Sequence, residues 1–249
     1  MIRKSYTMPK FIGFQFLIVF ISLSSAIAGE MPCSVKDRAC ITKEVIKAAE
    51  GIDNRNWRDQ SYREVAKTLA ADGDYNQALT IWERIENDDT KAITIRGIGM
   101  AAARNKLSGE AYNDLFTVLR EKSESIDHPP SYAIALTYIA MAQAFAGDNE
   151  GAWATASSMK NDALRHKAYG ETAEIQAEVG DIDAAMTSIS RIESSAYRNK
   201  AYALVSEILS DKENYDGALR SAMEISNAYK KAKALQYVLD SQTRDEAEN

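Results

Sequence analysis

A pattern of glycine, aspartate and a later alanine returns along this chain at a fixed step, and a chain that repeats itself is restricted to repeat architectures before any other feature is weighed. Gly73-Asp74, Gly147-Asp148 and Gly180-Asp181 are each followed by an alanine five residues after the glycine, at Ala78, Ala152 and Ala185. The step from Gly147 to Gly180 is 33 residues, and one more step reaches Glu213-Asn214, which keeps the alanine as Ala218. One step beyond Gly73 is Lys106, with Ala111 at the same offset, and the frame then slips by eight residues before Gly147. The expected place for that insertion is Lys122 to Pro130, the strongly loop-like stretch of the interior, whose two prolines suit the start of a helix.

Other columns follow the same frame. Seven residues before the glycine position stand Ala66, Gly99, Ala140, Ala173 and Ser206, all small. Eleven before it stand Tyr62, Ile95, Leu136, Tyr169 and Tyr202, and twelve after it Ile85, Val118, Met159, Ile192 and Ile225. Stepping back from Ile85 lands on Ile52. Each unit reads as a helix A, a Gly-Asp turn, a helix B and a connector, with glycine ending A and aspartate capping B. Apolar residues at helical spacing, such as Val65, Leu69, Leu79 and Trp82, support both helices. Prolines stand only at Pro9, Pro32, Pro129 and Pro130, so 33–128 and 131–249 are free of the residue that breaks helices. The expected fold is all-α: five units at about 59–91, 92–132, 133–165, 166–198 and 199–231, a B half-unit over Ile41 to Ala49 and an A half-unit from Ala232 to about Asp240. That makes about twelve helices, with Ser241 to Asn249 a frayed polar tail.

Residues 1–28 read as a secretory signal: Arg3, Lys4 and Lys10, then the apolar run Phe11 to Ile21, then Ala26-Ile27-Ala28 as a cleavage site. A mature chain from Gly29 loses three basic residues and no acidic ones, leaving 27 Lys+Arg against 36 Asp+Glu, a net charge of −9. Such a chain has no electrostatic reason to seek phosphate backbones or anionic lipid surfaces, so nucleic acid is not an expected partner, and after signal cleavage no stable membrane insertion is expected. Cys33 and Cys40 are the two cysteines of an exported chain, and a disulfide stapling residues 29–40 is expected. No histidine stands beside them, so no metal site is read, and no cofactor motif is present.

Gly73-Asp74-Tyr75-Asn76-Gln77-Ala78, with Tyr62 and Ala66 upstream, resembles the tetratricopeptide repeat, and the resemblance extends over about residues 41–240. The chain departs from that family in its step of 33 instead of 34, in lacking the proline near the end of helix B, and in a second unit without Gly-Asp. The resemblance implies a right-handed superhelical α-solenoid of antiparallel helices whose A helices line a concave groove that holds a peptide or partner protein. Transferred by position, the inward side chains are Arg63, Lys67, Arg96, Met100 and Arg104, then Ile134, Met141 and Phe145, then Lys167, Glu174, Glu178, Lys200, Glu207 and Asp211. The groove so read is basic, then apolar, then richer in acid, and it fits a partner with an acidic segment. Met141 and Phe145 are either groove anchors or packing.

Enzyme readings have less beneath them. His128 and His166 are far apart in sequence, and no Gly-x-Ser-x-Gly turn is present. Glu193-Ser194 resembles the catalytic pair of lytic transglycosylases, but it lies at a repeated connector and its Gly-Leu-Met-Gln companion is missing. The expected function is a periplasmic scaffold or adaptor that binds protein or peptide. The alternative is a cell-wall-acting enzyme or accessory subunit with Glu174 and Glu207 in the groove, and a third reading is self-association through the terminal helices of an otherwise monomeric chain.

Overall fold

The computed structural model describes residues 33–248, and the predicted signal segment lies outside them. Among the described residues there are twelve α-helices and no strand. They are α1 (Arg38–Glu50), α2 (Arg55–Ala71), α3 (Tyr75–Trp82), α4 (Asp88–Arg104), α5 (Gly109–Glu124), α6 (Pro129–Phe145), α7 (Asn149–Ser157), α8 (Asp162–Glu178), α9 (Ile182–Ser190), α10 (Ser195–Asp211), α11 (Tyr215–Met223) and α12 (Ala228–Glu248). Long and short helices alternate. The long ones α2, α4, α6, α8 and α10 have 17 residues each, and α3, α7, α9 and α11 have eight or nine. Each of those five long helices packs on the short helix that follows it and on the next long helix, and one continuous core runs from α1 to α12.

The backbone that ends each of these five long helices closes in the same way, and four of the five turns also share a side-chain cap. Gly73, Gly147 and Gly180 have φ of +86°, +83° and +87°, and the N–H of each donates to the carbonyl three residues back, while the next residue donates to the carbonyl five back. This is the Schellman arrangement, which needs a left-handed residue at its closing position. Asp74, Asp148, Asp181 and Asn214 then accept from the backbone N–H three residues on and cap the short helix. Where the sequence lacks the glycine, the geometry persists: Lys106 has φ +55° and Glu213 φ +60°. An L-residue there carries a strain of about 1–2 kcal/mol, only partly offset by the greater freedom glycine has when unfolded. Lys106→Gly and Glu213→Gly are each expected to raise stability by about 0.5 kcal/mol, read as a higher denaturant midpoint at unchanged slope.

The eight-residue insertion lies elsewhere than expected. Ile52, Ile85, Met159, Ile192 and Ile225 each follow a short helix and donate their N–H to the carbonyl three residues earlier, and Ile126 does the same. Ile126 therefore holds the place assigned to Val118, which is half-buried inside α5. The extra residues lengthen α5 to 16, and the expected loop shrinks to 125–128. Tyr112, Leu115, Phe116, Leu119 and Ser123 are all buried at helical spacing, and that stripe carries the helix through the expected loop.

In this corrected register the small column of the long helices, Ala66, Gly99, Ala140, Ala173 and Ser206, corresponds to Ala78, Leu119, Ala152, Ala185 and Ala218 of the short ones, and Ala140 clusters with Ala152. All ten are buried. Ser206 Oγ donates to the Ala218 carbonyl at 2.9 Å. Leu119 replaces alanine opposite the one glycine of the column: a Cβ on Gly99 would stand 3.6 Å from Leu119 Cδ1 and 2.9 Å from the Ala142 Cβ.

The ends also differ from expectation. Asp37 accepts from Cys40 N–H and starts α1 three residues before Ile41, and the disulfide joins Cys33 to Cys40 in its first turn with Cα atoms 5.6 Å apart. At the other end α12 begins at Ala228 and runs to Glu248, through the stretch read as a frayed tail. Ala234, Val238 and Ser241 are buried along it, and no glycine or proline interrupts it. Among the described residues no helix is long and apolar enough to cross a membrane.

Candidate functional site

Four of the residues assigned to the groove meet in one cleft between α2 and α4. Asn54 and Asn87 cap these helices by accepting from Trp57 and Thr90 N–H, which sets where each first turn begins. The cleft encloses about 500 Å³ and is lined by Lys67, Arg96, Met100 and Arg104, with Glu64, Ile93 and Gly97 among its walls. Gly97 permits the close approach: a Cβ there would fall 2.5 Å from Lys67 Cγ, so the missing side chain seats the lysine stem on α4. Lys67 donates to Glu64 at 2.8 Å and Arg63 donates to it at 2.7 Å, and the lysine first, with the arginine, holds the Glu64 carboxyl below its ordinary range.

Arg96 and Arg104 behave differently. The Arg96 guanidinium lies 5.3 Å from the Tyr138 ring centre, and neither arginine pairs with a carboxylate among the described residues. Two helical turns separate them, about 12 Å along the axis. Met100 lies midway, buried as the floor of the cleft.

A second cleft of about 290 Å³ lies between α8 and α10 and gathers Lys167, Glu174 and Lys200 with His166, Glu171 and Tyr197. Burial first, then the neighbouring Glu171, raises the Glu174 carboxyl above the ordinary carboxylate range against the pull of Lys200. His166 is buried against Tyr197 at 5.6 Å between rings, and its Nε2 has no hydrogen-bond partner among the described residues. By register it stands where Asp59 and Asn199 stand in other units, and those side chains accept from connector N–H groups.

The remaining assigned residues do not join these clefts. Arg63 lines a cleft between α1 and α2. Met141 is only 9% exposed and belongs to the core, because α6 is covered by α4 on one side and α8 on the other. Ile134 and Phe145 are half-buried and packed on that core, so the apolar middle of the groove is largely packing. Glu207 is half-buried on α10 and lines neither cleft. The α1/α2 cleft, about 670 Å³ with Val35, Ile41, Val45 and Trp57 in its walls, was not anticipated. Its sequence signal is Val45, a branched residue at the position that four inner units fill with buried alanine.

A serine, a histidine and an aspartate do converge, in an order that serves structure. Ser131 Oγ donates to Asp89 and lies 2.7 Å from His128 Nδ1. The hydroxyl sits between acid and imidazole, whereas nucleophile activation places the imidazole between hydroxyl and acid. Ser131 is also fully buried, and the trio ties the start of α6 to the start of α4. Among the described residues no cluster of histidine, cysteine or carboxylates could hold a metal ion. Comparison of the chain with protein-family models, with curated proteins and with solved structures finds no match. Sequence and structure together define the class as an all-α chain of successively packed helix pairs.

Proposed function

We propose that this chain is a periplasmic scaffold, a tetratricopeptide-like right-handed solenoid of antiparallel helix pairs, that binds an acidic peptide or partner segment along its long helices. The observation that carries this reading is the pair Arg96 and Arg104. In a chain with 36 acidic residues and 30 basic ones, two guanidinium groups face one cleft with no carboxylate of the described chain on either. Guanidinium forks match carboxylates bidentately, and the buried Met100 between them offers a soft apolar floor. An extended peptide with carboxylates at i and i+4 spans about 13 Å and places its i+2 side chain on the same face. A Glu-x-Leu-x-Glu core thus meets both arginines and the methionine.

The test is a fluorescence titration of that peptide and its Gln-x-Leu-x-Gln counterpart. Reversing both charges, Arg96→Glu with Arg104→Glu, is expected to weaken the acidic peptide about 100-fold or more, each charge-assisted contact being worth about 1.5–3 kcal/mol. Both residues are exposed, so helicity and melting should not move. Equal affinity for the two peptides, or binding indifferent to the reversal, would sink the reading. The alternative, a cell-wall-acting enzyme or accessory subunit, draws on the raised Glu174, but Glu207, its intended second carboxylate, lies outside that cleft.

A further inference from the structure

Among the described residues the helix series opens with a short-type helix, α1, and closes with a long-type helix, α12. Each end is half a unit, and the two halves are complementary. Inside the series every long helix buries a small residue at one register position, and it meets the following short helix where Gly99 lies by Leu119, Ala140 clusters with Ala152 and Ser206 bonds to Ala218. The same two positions at the ends are Leu239 on α12, 57% exposed, and Val45 on α1, 42% exposed. The α1/α2 cleft lies where a preceding long helix would sit, since an inner long helix packs on both the next short helix and the next long one.

We propose that the ends bind each other in separate copies: α12 of one molecule seats in the α1/α2 cleft of the next as the missing long helix, so that the chain polymerises head to tail. Leu239 then covers Val45, and the cleft around Trp57, itself 67% exposed, is filled. A second contact follows from the same register. Trp153 of α7 reaches forward to α9 and donates its Nε1–H to Ser188 at 2.7 Å. Leu219 holds the position of Trp153 on α11 and is exposed, and among the described residues no short helix follows α12 to cover it. In the assembly α1 of the next copy supplies that helix. A two-fold pairing of like ends would leave the other pair of apolar ends uncovered. The contact is heterologous and continues with each added copy.

Sedimentation of the purified protein from micromolar to submillimolar concentration tests this. The expected result is a weight-average mass that climbs past the dimer as concentration rises. V45D blocks one end and L239D the other, and since both residues are exposed, helical signal and melting should be retained. Each variant alone is expected to be monomeric, while an equimolar mixture forms a one-to-one dimer and nothing larger, because it contains one intact end of each kind. A wild-type chain that stays monomeric, a single variant that still associates, or a mixture that yields no dimer overturns the proposal, and the first outcome leaves the N-terminal cleft to a helix from a different protein.

Discussion

Trp82→Ala is expected to destabilise the fold by about 3–5 kcal/mol, the range for emptying a large aromatic site that cannot collapse. The ring is 3% exposed at the end of α3 and joins three helices. Its Nε1–H donates to the Lys91 carbonyl on α4 at 2.9 Å, and the ammonium groups of Lys91 and of Lys122 on α5 lie 5.5 and 5.8 Å from the ring centre. Lys122 also pairs with Glu83, so the indole and its neighbours close the contact between the first two units. Trp82→Phe keeps most of the ring and loses the N–H bond and some volume, and should cost about 1–2 kcal/mol. In a series where each unit meets only its neighbours, the damage should stay local. Hydrogen exchange in the alanine variant is expected to quicken over α2 to α5 and to change little over α8 to α11. Uniform acceleration along the whole chain would show a single cooperative body instead.

What could be read in advance follows from how local each signal is. Gly73, Gly147 and Gly180 act within six residues through a left-handed dihedral, and the turns at Lys106 and Glu213 were placed because aligned columns such as Ala66 and Tyr62 carry the frame across the missing glycines. All of the Tyr62 and Ala66 columns are buried. The insertion is hard to place from sequence because two signals compete in α5: the turn at Lys106 fixes its start, while Leu119 and Ile126 fix its end, and a prolyl loop in sequence hides a helix that burial sustains. Local pattern does not decide Met141, because its exposure depends on how closely α4 and α8 approach α6, and the α4 approach is set by Gly99 against Ala142, a contact between residues 43 apart. The clefts are products of such approaches. The α2/α4 cleft exists because Gly97 admits the Lys67 stem, a contact between residues 30 apart that no local pattern announces. The repeat pattern does not set the length of α12, because its last turn motif is absent and nothing in Ser241 to Glu248 actively stops a helix.

Asp59→Ala is expected to cost about 2–3 kcal/mol and to weaken peptide capture at the α2/α4 cleft, although the cleft does not contain Asp59. The carboxylate is fully buried on α2, and its Oδ2 accepts from the N–H groups of Glu86 at 3.1 Å and Asn87 at 2.8 Å. Those two donors belong to the connector that delivers α4, whose own cap is Asn87. Alanine leaves them without a partner in a buried place and frees the angle at which α4 meets α2. Arg96 and Arg104 on α4 and Lys67 on α2 then lose their common geometry, and an extended peptide reaches fewer of them at once. Asp59→Asn separates this account from a general need for charge. Asn199 holds the equivalent position in the fifth unit and accepts from Ser226 N–H at 2.9 Å, so an amide oxygen suffices for the task. The asparagine variant should therefore lose no more than about 1 kcal/mol and bind peptide nearly as the parent does. Denaturant midpoints and peptide titrations of both variants decide it. Equal losses in the two would mean that the buried charge itself, and not acceptance from the connector, holds α4 in place.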